Sequence, residues 1–135
     1  MQSIYKDDRT SEWFFPDGAF ILSTTDEHGI ITYVNDLFCE IAGYTKEELL
    51  GQPHNIVRHP DMPKVAFKSL WDDVQSKGFW DGFVKNKRKD GGYYWVYATV
   101  LRKVEPNGKV TYLSIRTKPS RAKVQESEEL YATLD

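Results

Sequence analysis

A single cysteine, Cys39, leaves this chain without an internal disulfide or a thiolate zinc site, and suits a reducing compartment. Long apolar runs are missing as well. No stretch approaches the roughly 20 residues of a membrane helix, and the charged N-terminus lacks the apolar core of a signal peptide. The expectation is a soluble, cytoplasmic chain with no membrane insertion of its own. Charge of one sign is lacking too. Eighteen basic against 20 acidic residues give a net charge of −2, so no global field draws nucleic acid or an anionic surface. The chain has no Gly-x-Gly-x-x-Gly, no Walker loop and no nucleophile beside a placed base, so an enzyme is not expected. His54, His59 and Asp61 are metal-ligand types, but their spacing matches no short metal motif, and no metal site is expected.

Aromatic side chains are what the chain has in excess: 14%, with four Trp, eight Tyr and seven Phe. Such an excess often serves a flat ligand or an interface as well as a core. The other concentrated feature is the stretch from Gly51 to Pro63, with three prolines, His54, Arg58, His59 and Asp61. Three prolines in so short a span forbid a regular helix or an interior strand, which leaves a stiff loop. Stiff loops on a regular scaffold commonly carry binding residues.

Around that loop the pattern resolves into elements. Phe20 to Thr25 and Ile30 to Val34 read as a hairpin about a turn at Gly29. Asn35 caps a helix over Asp36 to Ala42 that Gly43 stops. Thr45 and Glu48 form a capping box for a second short helix. After the loop, Phe67, Leu70, Trp71 and Val74 mark a helix with one buried face, from Pro63 to Gly78. Three long strands follow, Phe79 to Lys89, Tyr93 to Val104 and Lys109 to Lys118, joined by glycine-bearing turns. The layout is α+β: a five-stranded antiparallel sheet with short helices on one face. Residues 1–19 form an N-terminal cap with an aromatic knot at Trp13, Phe14 and Phe15. Residues 119–135 form a helical tail that could stay free, dock back or meet a partner. The run Lys85 to Lys89 reads as a solvated sheet edge, and Cys39 as a buried small apolar side chain.

Alternate residues of a strand share a face. One face carries Trp80, Gly82, Val84 and Asn86, then Ala98, then Ser114 and Arg116. The other carries Phe79, Phe83, Trp95, Tyr97 and Leu113. Both are substantially apolar, whereas a sheet open to water on one side has one polar face. Helices should therefore cover the first face. The N-terminal aromatics, a second copy or a downstream domain should cover the other. Small inward residues leave room, and Asn86 and Arg116 inside it need partners.

The succession Asn35-Asp36-x-Phe38, Gly43-Tyr44-Thr45-x-Glu47-Glu48-Leu49-x-Gly51, then Lys89-Asp90-Gly91 and Tyr94-Trp95, resembles PAS sensory domains over residues 20–118. The loop from Gly51 to Pro63, with Phe79-Trp80-x-Gly82-x-Val84-Lys85-Asn86 and Ser114-Ile115-Arg116-Thr117, resembles the PAS domain of bacterial aerotaxis receptors. That resemblance implies non-covalent FAD and a redox sensor for oxygen or energy that signals to a chemotaxis output. It also implies a HAMP or signalling domain of the same or a partner chain, self-association as a homodimer, and tethering to the inner membrane in a longer parent. The chain shows neither tether nor HAMP segment, as expected of an excised domain or a shorter relative. Arg58 and His59 suit the phosphates, His59 becoming cationic beside them. Asp61 suits adenine or ribose, or a helix cap. Trp71 and Trp80 suit the flanks of the isoalloxazine ring and Asn86 its pyrimidine edge. Arg116, or else Asn35, suits the N5 side, although Asn35 reads first as a helix cap. A haem gas sensor and a ligand-free dimerisation module remain as alternatives. The loop before the long helix lacks the cysteine that a LOV photoreceptor needs.

Overall fold

The computed structural model describes residues 4–134; Met1 to Ser3 and Asp135, the outermost ends of the expected cap and tail, lie outside the described residues. Five strands form one antiparallel sheet: β3 (Ile21–Thr25), β4 (Ile31–Val34), β5 (Phe79–Lys87), β6 (Tyr93–Val104) and β7 (Val110–Thr117), in the spatial order β4-β3-β7-β6-β5. The N-terminal strands β1 (Tyr5–Lys6) and β2 (Trp13–Phe14) make a separate hairpin. The helices α1 (Asp36–Ala42), α2 (Lys46–Leu49) and α3 (Lys64–Ser76) intervene between β4 and β5, and α4 (Arg121–Ala132) ends the chain. The expected α+β layout holds.

Local chemistry accounts for these limits. Asn35 Oδ1 accepts from Phe38 N–H to start α1, and Gly43 ends it in the left-handed region at φ 76°. Thr45 and Glu48 form the reciprocal capping box of α2. Pro63 stands just before α3 as its cap position and offers no side-chain bond, so Asp61 is not the cap of that helix. Within the proline-bounded loop, His54–Val57 forms a single 3-10 turn, which prolines on either side tolerate.

That loop spans the two edges of the sheet. At one end Ile31 N–H donates to the Gln52 carbonyl, and Gly51 N–H to the Ile31 carbonyl, both at 2.9 Å on edge strand β4. At the other end Arg58 bridges Asn86 on edge strand β5. Residues 51–58 therefore strap β4 to β5 across the concave face, and the unpaired groups of both edges are partly satisfied.

The inner face packs Phe38, Ile41, Leu49, Val57, Val74 and Val96 into the core, all essentially inaccessible. The outer face is covered in part by the chain's own ends. Phe15 is buried, β2 runs beside β6 through the Glu12–Tyr93 bridge, and α4 lies on the sheet. Tyr131 stacks on Trp95 at 6.3 Å, its hydroxyl donates to the Phe83 carbonyl at 2.6 Å, and Val124 is buried. Arg121 reaches back to Glu12 at 2.7 Å, joining tail to cap. Phe20, Tyr33, Phe79 and Leu101 remain exposed.

One expectation is corrected. The run from Lys85 to Lys89 is a solvated edge only in part: Lys87 and Lys89 are exposed on or just beyond edge strand β5, but Arg88 is not. Arg88 is buried; its guanidinium donates to the Ile41 and Glu40 carbonyls, pairs with Asp90 and lies 3.9 Å over the Trp13 ring. The open carbonyls at the C-terminal end of α1 need donors, and a guanidinium supplies several at once. Cys39 is half-buried, with burial pushing its thiol pKa up.

Candidate functional site

Between the inner sheet face, α3 and the strap lies a cavity of about 300 Å³. Its floor is built by the inward residues of the strands, among them Trp80, Asn86, Ala98, Ser114 and Arg116, and its sides by His54, Arg58, Phe67 and Trp71. No carboxylate lines it among the described residues. The small inward residues have different uses. Ala98 and Ser114 open space for the cavity, whereas a Cβ on Gly82 would stand 2.6 Å from the Trp80 indole. The missing side chain at Gly82 thus lets Trp80 lie flat along its own strand.

Arg116 is the chemical centre of the wall. It is 3% exposed, and no acid pairs with it among the described residues. Burial lowers its pKa to about 10, with only the neighbouring Tyr94 acting to raise it. Nη2 donates to Ser23 Oγ at 2.9 Å and to His54 Nε2 at 2.5 Å, and the guanidinium lies 5.0 Å over the Phe38 ring. Nη1 is buried with no partner in the described structure. Burial, and then the Arg116 charge, push His54 down to about 3, so its ring is neutral and accepts from the guanidinium. The wall thus holds a cation balanced only by neutral acceptors, with a donor to spare. Such a wall suits a ligand edge rich in acceptors or negative charge.

Asn86 lies on the same floor, 5% exposed, where its strand bridges to Arg58 of the strap. Trp80 is 8% exposed and lies within the cavity, while Trp71 lines it from α3 with 36% of its surface exposed, at the rim. Arg58 lines the rim too, its guanidinium 4.0 Å over Phe67. Five of the eight expected residues, Arg58, Trp71, Trp80, Asn86 and Arg116, therefore meet at one cavity.

The other three do not line it. Asn35 spends its side chain on the cap of α1, on Leu22 N–H at 3.1 Å and on the Phe20 carbonyl at 2.8 Å. Asp61 pairs with Lys85 at 2.8 Å, and that hydrogen bond holds its carboxyl below the usual range. His59 Nδ1 accepts from Asp61 N–H at 3.0 Å. Burial, and then the Lys85 charge, lower the His59 pKa, so in this arrangement the ring is not cationic at neutral pH. His54, read from the sequence only as a metal-ligand type, is the site residue that reasoning missed. Its bond to Arg116 joins positions 62 residues apart, and a separation of that kind leaves no local pattern. Its place in the same loop as Arg58 was the one available signal.

The comparisons with known proteins agree with this geometry. The family model described as PAS fold matches residues 31–116. The chain is 46% identical over 120 residues to the aerotaxis receptor of Escherichia coli K12, covering 88% of this chain and 24% of that protein. It is 29% identical over 91 residues to the nitrogen fixation regulatory protein of Klebsiella pneumoniae, covering 67% of this chain and 18% of that one. The chain thus spans about a quarter or less of the length of these relatives. Among solved structures, the PAS domain of a Colwellia psychrerythraea protein superimposes with a TM-score of 0.68 at 25% identity, covering 76% of this chain and 87% of that one. The dark structure of the blue-light photoreceptor Aureochrome1 LOV gives 0.69 at 21% identity, over 82% and 86%, a likeness of fold alone. A family match across more than half of the sequence, on a sheet and helices of the same arrangement, places the chain in the PAS family.

Proposed function

We propose that this domain binds FAD non-covalently and serves as the redox sensor of an aerotaxis system, reporting to a chemotaxis output region. The observation that carries the reading is Arg116: a buried guanidinium in a cavity wall that, among the described residues, holds no carboxylate and leaves one of its nitrogens unpaired. An unpaired buried donor costs free energy unless something accepts from it. The identity with an aerotaxis receptor over most of the chain supports the same reading. A haem is less well served, because His54 Nε2 is already engaged by Arg116.

The residues divide by what they offer. Trp80, Val84 and Ala98 give apolar surface for a flat ring. Asn86 gives both donor and acceptor for the pyrimidine edge, and Arg116 gives donors only. Arg58 at the rim holds phosphate, and a shift of the strap would bring His59 and Asp61 nearer the dinucleotide. When bound, the flavin supplies a redox couple whose N5 accepts a hydrogen bond when oxidised and donates one when reduced and protonated. Asn86 answers either state by turning its amide over; Arg116 cannot. A mismatch inside the wall costs about 1–3 kcal/mol, enough to move a balanced equilibrium roughly tenfold. Strand β5 carries Asn86 inward, and its Phe83 carbonyl holds Tyr131 of α4 on the other face. That strand thus joins the cavity to the tail.

The partners follow as part of the proposal: a HAMP or signalling domain of the same or another chain, and a second copy. The exposed Phe20, Tyr33 and Phe79 on the outer face offer surface for either. The setting is the cytoplasm, in a parent tethered to the inner membrane. No helix among the described residues is long and apolar enough to cross a membrane. The test is occupancy after purification from a flavin-replete host. The wild-type chain should carry stoichiometric FAD and Arg58→Ala should emerge mostly colourless. Full occupancy in the variant would remove Arg58 from phosphate binding, and a wild-type chain that takes up no added FAD would sink the reading.

A further inference from the structure

We infer that Trp71 is the stacking platform for the adenine ring, and so the residue that makes this site prefer a flavin dinucleotide to a mononucleotide. The inference rests on the flavin reading above. A cavity of about 300 Å³ is at the low end for small-molecule sites. It has room for a fused ring system, and the diphosphate and second base must lie at the rim. Arg58 marks where the phosphates emerge, with its guanidinium fixed 4.0 Å over Phe67. Phe67 and Trp71 are four residues apart on α3, so their Cβ atoms are neighbours on one helix face, about 5–6 Å apart. A diphosphate on Arg58 therefore directs the adenosine along α3 to Trp71.

Trp71 itself is built for this. Unlike Trp80, it lines the cavity with more than a third of its surface exposed. It is fixed in place: Tyr112 meets it nearly perpendicular, at 89° and 5.3 Å, and the Gly29 turn lies against its six-membered ring. His28 and Asn55 also line the cavity, and no carboxylate does so among the described residues. A fixed aromatic ring with polar neighbours suits a purine, and stacking of a base on such a ring changes affinity by about tenfold.

The test is titration of the apo chain with FAD, FMN and riboflavin, read by flavin fluorescence. The wild-type chain should bind FAD more tightly than FMN. Trp71→Leu, which keeps apolar bulk without a stacking face, should weaken FAD about tenfold and leave FMN and riboflavin unchanged. Trp71→Phe should keep most of the preference. Arg58→Ala should weaken FAD and FMN alike relative to riboflavin. Equal weakening of all three flavins in Trp71→Leu would assign Trp71 to the isoalloxazine ring and overturn the inference. So would an undiminished preference for FAD in that variant, or equal wild-type affinities for FAD and FMN. A wild-type chain that binds none of the three would overturn the flavin reading itself.

Discussion

His54 and Arg116 illustrate how a charge is kept inside this domain at a cost. The guanidinium has no acid beside it among the described residues, and His54 must stay neutral to accept its hydrogen bond. The folded pKa of His54 is about 3 against an ordinary 6.5. The unfolded chain therefore binds this proton at a pH where the folded chain does not. The stability tied to a neutral His54 is complete above pH 6.5 and is lost as pH falls toward 3. Chemical denaturation between pH 6.5 and 4.5 should show a loss of up to roughly 2–3 kcal/mol from this group. His59, also lowered, adds in the same direction. His54→Gln should flatten most of that slope; a slope unchanged in the variant would mean that His54 is already accessible to protons. The types and inward direction of Asn86, Trp80 and Arg116 were legible from strand alternation. The His54–Arg116 bond and the burial of Arg88 were not, because each joins residues far apart in the chain and depends on where two elements end.

Short-range chemistry set the helices and strands. Asn35, the Thr45–Glu48 capping box and Gly43 bound α1 and α2 where sequence reasoning put them, because a cap is a contact within one turn. The docking of α4 was not legible. Its apolar residues are only loosely periodic, and what holds it is the buried Val124, a stack on Trp95, one hydrogen bond to β5 and an ion pair to the N-terminal cap. So lean an attachment should be easy to loosen. Tyr131→Ala removes both the stack and the hydrogen bond. Trypsin should then cleave at Arg121 or Lys123 at least about tenfold faster than in the parent chain, a loss of about 1.4 kcal/mol in docking. FAD occupancy should not change, because Tyr131 lies on the outer face. Loss of FAD in this variant would contradict the division of the sheet into a binding face and an attachment face.

Taken whole, the domain is a sheet with a different task on each side, strapped at its edges by the loop between Gly51 and Arg58. The inner side encloses a cavity with a cationic wall, and the outer side carries the chain's own two ends. The sequence showed two apolar faces without showing what covered the second, since that depends on packing of termini whose local patterns are weak. A redox-active ring in that cavity is what joins the two sides into a sensor. Its most direct test is the visible absorption spectrum of the purified, FAD-loaded chain before and after dithionite. The account predicts flavin bands that bleach on reduction and return in air. A strong Soret band that shifts on reduction, or no visible absorption after incubation with FAD, would contradict it.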